Sequence, residues 1–160
     1  MDKTKQKIAF SFLIAIFLAA FEGVVVSTAA PVIVKSLHNF KMISWIFSIF
    51  LLTSAISTPI YGKLADLYGR KRIFMIGISI FLFGSLLAGL SQTMHQLIIF
   101  RGIQGIGAGA IFTIGFTMIG DIFTLEERSI IQGAISTIWG IAGLVGPLLG
   151  GFLIDYLSWQ

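Results

Sequence analysis

Gly62-Lys63-Leu64-Ala65-Asp66-Leu67-Tyr68-Gly69-Arg70-Lys71-Arg72 is a polar island between two apolar runs, about Ile43–Tyr61 before it and Ile73–Leu90 after it. Each run is close to the roughly 20 residues that cross a bilayer as a helix. Reading outward, three more runs follow the same plan: about Ile8–Val34, broken only by Glu22, about Leu97–Gly120 with Arg101 inside it, and about Ile130–Tyr156. The runs are continuous rather than alternating, which selects membrane helices over barrel strands. The expectation is an all-α membrane protein with about five transmembrane helices. Its connections, Lys35–Met42, Gly62–Arg72, Ser91–Gln96 and Asp121–Ser129, are short enough to make consecutive helices antiparallel neighbours.

Composition points the same way. Of 160 residues, 56% are hydrophobic and 11% charged, against about 25% charged in a soluble domain. Such a chain cannot cover its surface with polar groups, so its solvent is lipid. The net charge of +4 does not indicate nucleic acid, because the cations sit in short clusters between apolar runs rather than along one face. Lys3, Lys5, Lys7, Lys63, Arg70, Lys71, Arg72 and Arg128 fall on one side of the expected membrane, and only Lys35 and Lys41 on the other. The positive-inside rule therefore places the N-terminus in the cytoplasm. The first run is about twice the length of a signal-peptide core and leads into further spans, so it reads as a span. With no cysteine, there is neither a disulfide framework nor thiolate chemistry. No His–Glu metal spacing, P-loop or G-x-S-x-G motif is present, and His38 and His95 lie in separate outer-side connections. The chain is read as neither an enzyme nor a metal or cofactor protein.

The polar island fits the pattern G-x-L-a-D-x-x-G-R-[KR]-[KR]. Gly62 and Gly69 permit close approach and tight turning. Asp66 can accept hydrogen bonds at a helix N-terminus, and Arg70 can pair with a carboxylate at a neighbouring helix end. The stretch and its placement resemble the signature loop of the major facilitator superfamily. The resemblance implies a cytoplasmic latch that holds the outward-facing state, with Arg70 paired to Asp121 at the end of the fourth run.

Two ionisable residues inside spans are costly and point to function. Arg101 precedes Asp121 by about 20 residues, or ~30 Å of helix, so it belongs to the outer part of its span. It can snorkel outward or turn inward with Gln104, Gly105 and Ala108, which share its face. Gly105 and Gly109 form a small-xxx-small packing edge. Arg101-Gly102-Ile103-Gln104-Gly105 resembles the R-x-x-Q-G motif of proton-coupled carriers, whose arginine is linked to proton transfer; a fixed cation shifts the pKa of a neighbouring carboxyl. Glu22 is the expected carboxyl, near mid-membrane. Leu18–Pro31 resembles the first-helix motif of fourteen-span drug–proton antiporters, with an acid nine positions before proline. Glu replaces the usual Asp, and Ser27 stands where Asn is common. The alternative is a structural Glu bonded between helices.

The fifth run contains Gly133, Gly140, Gly143, Gly146-Pro147 and Gly150-Gly151. Ser136, Gly140, Gly143, Pro147 and Gly150 share a face at helical spacing. Pro147 bends a helix and frees a carbonyl. The G-P-x-x-G-G core resembles the antiporter motif of drug exporters, with Ala142 where another Gly is usual. Together the resemblances imply proton-coupled export of small cationic or amphipathic drugs across the cell membrane, driven by a proton gradient without a cofactor. The expected partners are the bilayer, a small-molecule substrate and the C-terminal helices that this chain lacks. Residues 1–160 read as an incomplete N-terminal half, interrupted after Ser158-Trp159-Gln160 and inactive by itself. The alternatives are a small five-span protein that binds or regulates a partner, or a carrier for another solute class.

Overall fold

The computed structural model describes residues 3–37 and 40–156, with side chains as far as Phe152. The elements are α1 (Lys3–Leu37), a 3-10 turn at Phe40–Met42, α2 (Ile43–Tyr68), α3 (Arg70–Gly89), α4 (Met94–Ile122) and α5 (Leu125–Tyr156). All five α-helices are long and apolar enough to cross a membrane. At 1.5 Å per residue, the 35 residues of α1 span ~52 Å, well beyond a ~30 Å hydrocarbon core. The helix is therefore longer than an upright span requires.

The connections are shorter than the sequence suggests. The expected loop over Gly62–Arg72 is almost all helix: α2 runs on to Tyr68, α3 starts at Arg70, and Gly69 alone separates them. Likewise, only Phe123 and Thr124 separate α4 from α5. Polarity in the sequence marks where the hydrocarbon ends, whereas a helix continues until its backbone must turn. Gly69 makes that turn at φ 88° and ψ 135°, a region open to glycine and strained for other residues. Before turning, its N–H donates to Ala65 O at 3.0 Å and closes α2.

The middle of the bundle is α4, the most buried of the five helices. It packs on α2 along one edge and α3 along another, and it also meets α1, which pairs with α5. Small residues make these approaches possible. A Cβ on Gly105 would meet Phe50 Cα at 3.0 Å, and one on Gly109 would meet Ser57 Cβ at 3.4 Å, both on α2. Gly105 and Gly109 are thus the small-xxx-small edge of the α2–α4 contact. On α3, Gly84 lies against the backbone of Gln104, where a Cβ would come within 2.7 Å of its N.

Among the described residues, apolar side chains form two clusters. Phe12, Ile16, Phe74, Ile111, Ile114 and Met118 belong to the larger one, toward the end where Lys3 and Arg70 lie. Ala29, Ile33, Val34, Ile46, Met94 and Leu97 form the smaller one at the opposite end. A polar layer built on Glu22, Arg101 and Gln104 lies between them.

Candidate functional site

Arg101 is held in the bundle interior, its side chain 2% exposed. Burial of a guanidinium requires partners for its donors and charge. From α1, Glu22 supplies an Oε1 that pairs with Arg101 Nη1. On α4 itself, one turn along, Gln104 Oε1 accepts from the same Nη1 at 2.7 Å. From α2, Ile46 O lies 3.5 Å from Nε, and the Phe50 ring lies 4.5 Å from the guanidinium carbon. Arg101 therefore points inward and ties three helices, rather than snorkelling to the outer interface. Glu22 Oε2 and Gln104 Nε2 are buried without a hydrogen-bond partner among the described residues. The site thus sets the Glu22 carboxylate between the Arg101 guanidinium and the Gln104 amide, with one carboxylate oxygen paired to the cation. That arrangement can hold a proton, or a donor group of a small molecule, beside a fixed cation.

A second polar network lies at the opposite end of α4. Arg70 Nη1 forms an ion pair with Asp121 Oδ2 and approaches Thr117 O at 3.5 Å. The first turn of α3 is thereby fastened to the last turns of α4. Two residues of this stretch make no such contact among the described residues. Gly62 lies inside α2, and nothing among the described residues comes within 4 Å of a built Cβ. Asp66 is exposed, and no side chain among the described residues caps the N-terminus of α3. The physical reason is that α2 continues through both residues and the turn falls on Gly69.

The glycine motif of α5 divides between two surroundings. Gly146 abuts α1, where its Cβ would meet Val24 Cγ1 at 2.5 Å, and one on Gly150 would meet Thr28 Cβ at 3.4 Å. Ala142 is fully buried. Among the described residues, Gly140, Gly143 and Gly151 have nothing within 4 Å of a built Cβ, and Ser136, Gly143 and Pro147 are exposed. Of the face expected from spacing, Ser136, Gly140, Gly143 and Pro147 are exposed together, and Gly150 is buried against α1. A helix drifts ~20° per seven residues, which carries Gly150 toward α1 relative to Gly143. The helix persists through Pro147, whose missing N–H leaves Gly143 O without its usual donor.

Several further contacts hold the helix ends. Thr124 Oγ1 accepts from Glu127 N–H at 3.3 Å, and Glu127 Oε2 accepts from Thr124 N–H at 3.1 Å. This reciprocal capping box starts α5, and its T-x-x-E spacing is visible in the sequence. Lys5 Nζ reaches the same Glu127 Oε2 at 3.1 Å and lies 5.7 Å from the Phe123 ring centroid, fastening α1 to α5. Arg128, read only as an orienting charge, donates to Phe123 O at 2.9 Å and to Gly120 O, closing the end of α4. Phe50 and the Ile46 carbonyl carry no sequence signal that links them to Arg101. Exposed His95 belongs to no metal-binding group among the described residues. His38 and Ser158–Gln160 lie outside the described residues.

Comparison with known proteins finds matches over nearly the whole chain. The profile of the family described as Major Facilitator Superfamily matches residues 12–160. Multidrug resistance protein 3 of Bacillus subtilis (strain 168) is 42% identical over 166 residues, covering 100% of this chain and 32% of the relative. Multidrug transporter protein MdtP of the same organism is 43% identical over 148 residues, or 92% of this chain and 27% of the relative. Efflux pump dotC of Dothistroma septosporum is 38% identical over 147 residues, or 92% and 25%. The chain spans about a third or less of these curated relatives.

Proposed function

The chain belongs to the major facilitator superfamily, and from that premise we propose that it forms most of the first six-helix half of a proton-coupled drug exporter. The observation that carries this reading is the Glu22–Arg101 ion pair between the two apolar clusters. A buried pair is a poor stabiliser compared with apolar residues of similar volume. In a membrane interior such groups mark proton or substrate routes. Ionised, Glu22 is paired with Arg101 and can attract a cationic cargo. Protonated, it has no charge to offer that cargo. Alternation between these states couples proton entry to cargo exit. The relatives' names, multidrug resistance, multidrug transporter and efflux pump, support drugs as cargo and export as direction.

The remaining residues take roles around that step. The Arg70–Asp121 pair, with Gly69 at the turn, latches α3 to α4 at the cytoplasmic side. Exposed Gly143 and Pro147 present a smooth surface to helices beyond this chain, while Gly146 and Gly150 keep α5 against the helix that carries Glu22. The N-terminus lies in the cytoplasm and the membrane is the cell membrane. The protein acts as a carrier rather than an enzyme, and its partners are lipid, small-molecule cargo and the further helices of the same carrier.

The test is efflux of a cationic dye from energised vesicles that contain the full-length carrier, at matched expression. Glu22→Gln keeps the shape and removes the charge, and it abolishes proton-driven efflux. Glu22→Asp retains part of the activity. Parental efflux by Glu22→Gln, with proton movement still in step, overturns the reading and leaves Glu22 structural.

A further inference from the structure

We propose that Phe50 is a positioning residue that keeps Arg101 buried and aimed at Glu22 while the carboxyl is neutral. This rests on the reading that Glu22 takes up and releases a proton. When it takes one up, the buried guanidinium loses its counter-ion. A cation left alone in the membrane interior swings toward the interface, as long basic side chains do. It would then be displaced from Glu22 when the proton has to leave again.

What remains to hold it can be read from its contacts. Gln104 Oε1 at 2.7 Å and Ile46 O at 3.5 Å are neutral acceptors. The face of Phe50, 4.5 Å from the guanidinium carbon, is the third support. A desolvated cation over an aromatic face is attracted by the ring quadrupole. The geometry is enforced by α4 itself. Gly105 lies one turn after Arg101, and a Cβ there would meet Phe50 Cα at 3.0 Å. The absent side chain lets α2 close on α4 and brings the ring to the cation. Among the described residues, the charged group facing Glu22 is Arg101. The α5 positions that face α1, Ala142, Gly146 and Gly150, are uncharged, and α2 contributes Phe50 and the Ile46 carbonyl. Whether Arg101 stays beside the neutral carboxyl is therefore set by these neutral supports, of which the ring alone can be tuned without changing shape.

The experiment places phenylalanines with one, two or three ring fluorines at position 50 of the full-length carrier. Fluorination leaves the ring's size nearly unchanged and progressively weakens its negative face. The readout is the pH midpoint of cationic-dye efflux in vesicles. The expected result is a midpoint that moves in one direction with each fluorine. It reaches at least about threefold in proton affinity, ~0.5 pH unit, at the third, and Phe50→Leu moves it at least as far. A midpoint that stays flat across the series overturns the proposal, whatever Phe50→Leu does to folding. Glu22→Gln is measured alongside. If it keeps the parental pH profile, the reading of Glu22 as the proton acceptor fails. If it loses that profile while the fluorine series is flat, only the role of Phe50 fails.

Discussion

A guanidinium in the membrane interior is tolerated because each of its faces meets something suited to it. Glu22 meets its charge, Gln104 and Ile46 O its donors, and Phe50 its flat side. A lysine keeps the charge but has no planar fork to serve these partners together. Arg101→Lys in the full-length carrier is therefore expected to lower dye efflux at least tenfold, about 1.4 kcal/mol of lost stabilisation, at unchanged expression. Gly105 is the second decisive residue. Gly105→Ala drives a methyl into the Phe50 backbone, and overpacking of this kind costs about 1–3 kcal/mol. Gly120→Ala is the control, because nothing lies within 4 Å of its built Cβ and alanine is the better helix former by ~1 kcal/mol. Thermal unfolding in detergent should show a lower midpoint for the first and an equal or higher one for the second. The cost of a deep Glu and a deep Arg is legible from sequence. The inward turn of Arg101 is not, because snorkelling and pairing satisfy the same local pattern until α1 and α2 are in place.

At the element scale, the α2–α3 junction separates two effects that the sequence merges. Its glycine–aspartate–arginine spacing marks a turn between helices, yet the turn is one residue long. Gly69 holds a backbone conformation that costs other residues about 1–3 kcal/mol. Gly69→Ala should lower the unfolding midpoint by that equivalent, whereas Gly62→Ala, in open space within α2, should not. The Arg70–Asp121 pair is 31% and 48% exposed, and pairs so exposed contribute at most ~1 kcal/mol. Asp121→Asn should therefore leave the unfolding midpoint nearly unchanged. A latch role shows instead as a changed accessibility of cysteines placed on the outer side, read by labelling rate in the full-length carrier. Helix existence was legible here because apolar length is additive. Helix ends were not, because Lys63 through Tyr68 are as compatible with helix as with loop.

For the whole molecule, two apolar clusters enclose a polar layer, and a set of ionic ties closes one end of the bundle. Lys5–Glu127 fastens α1 to α5, and Arg70–Asp121 fastens α3 to α4. That end also carries Lys63, Lys71, Arg72 and Arg128. If it faces the cytoplasm, Lys63→Cys reacts with an impermeant thiol reagent only after the membrane is opened, and His95→Cys reacts in intact cells. The reverse pattern would sink the orientation. Loss of Lys5 should loosen α1 at that end, seen as faster amide exchange in its first turns.

What the sequence by itself determined is what depends on residues one at a time or on near neighbours. The transfer of each apolar run from water to lipid sets the class and the five helices. The cation clusters set the expected orientation, and the price of a lone charge in lipid singles out Glu22 and Arg101. Only the tertiary structure decided which faces meet. Arg101 turns to Glu22 rather than to the interface, the α5 glycines divide between α1 and open surface, and Lys5 finds Glu127. Those outcomes join positions far apart in the chain, 22 with 101, 50 with 101 and 5 with 127. Hydropathy is a property of single residues, whereas a contact is a property of two, and the helix rotations that bring them together follow from where small side chains let backbones approach.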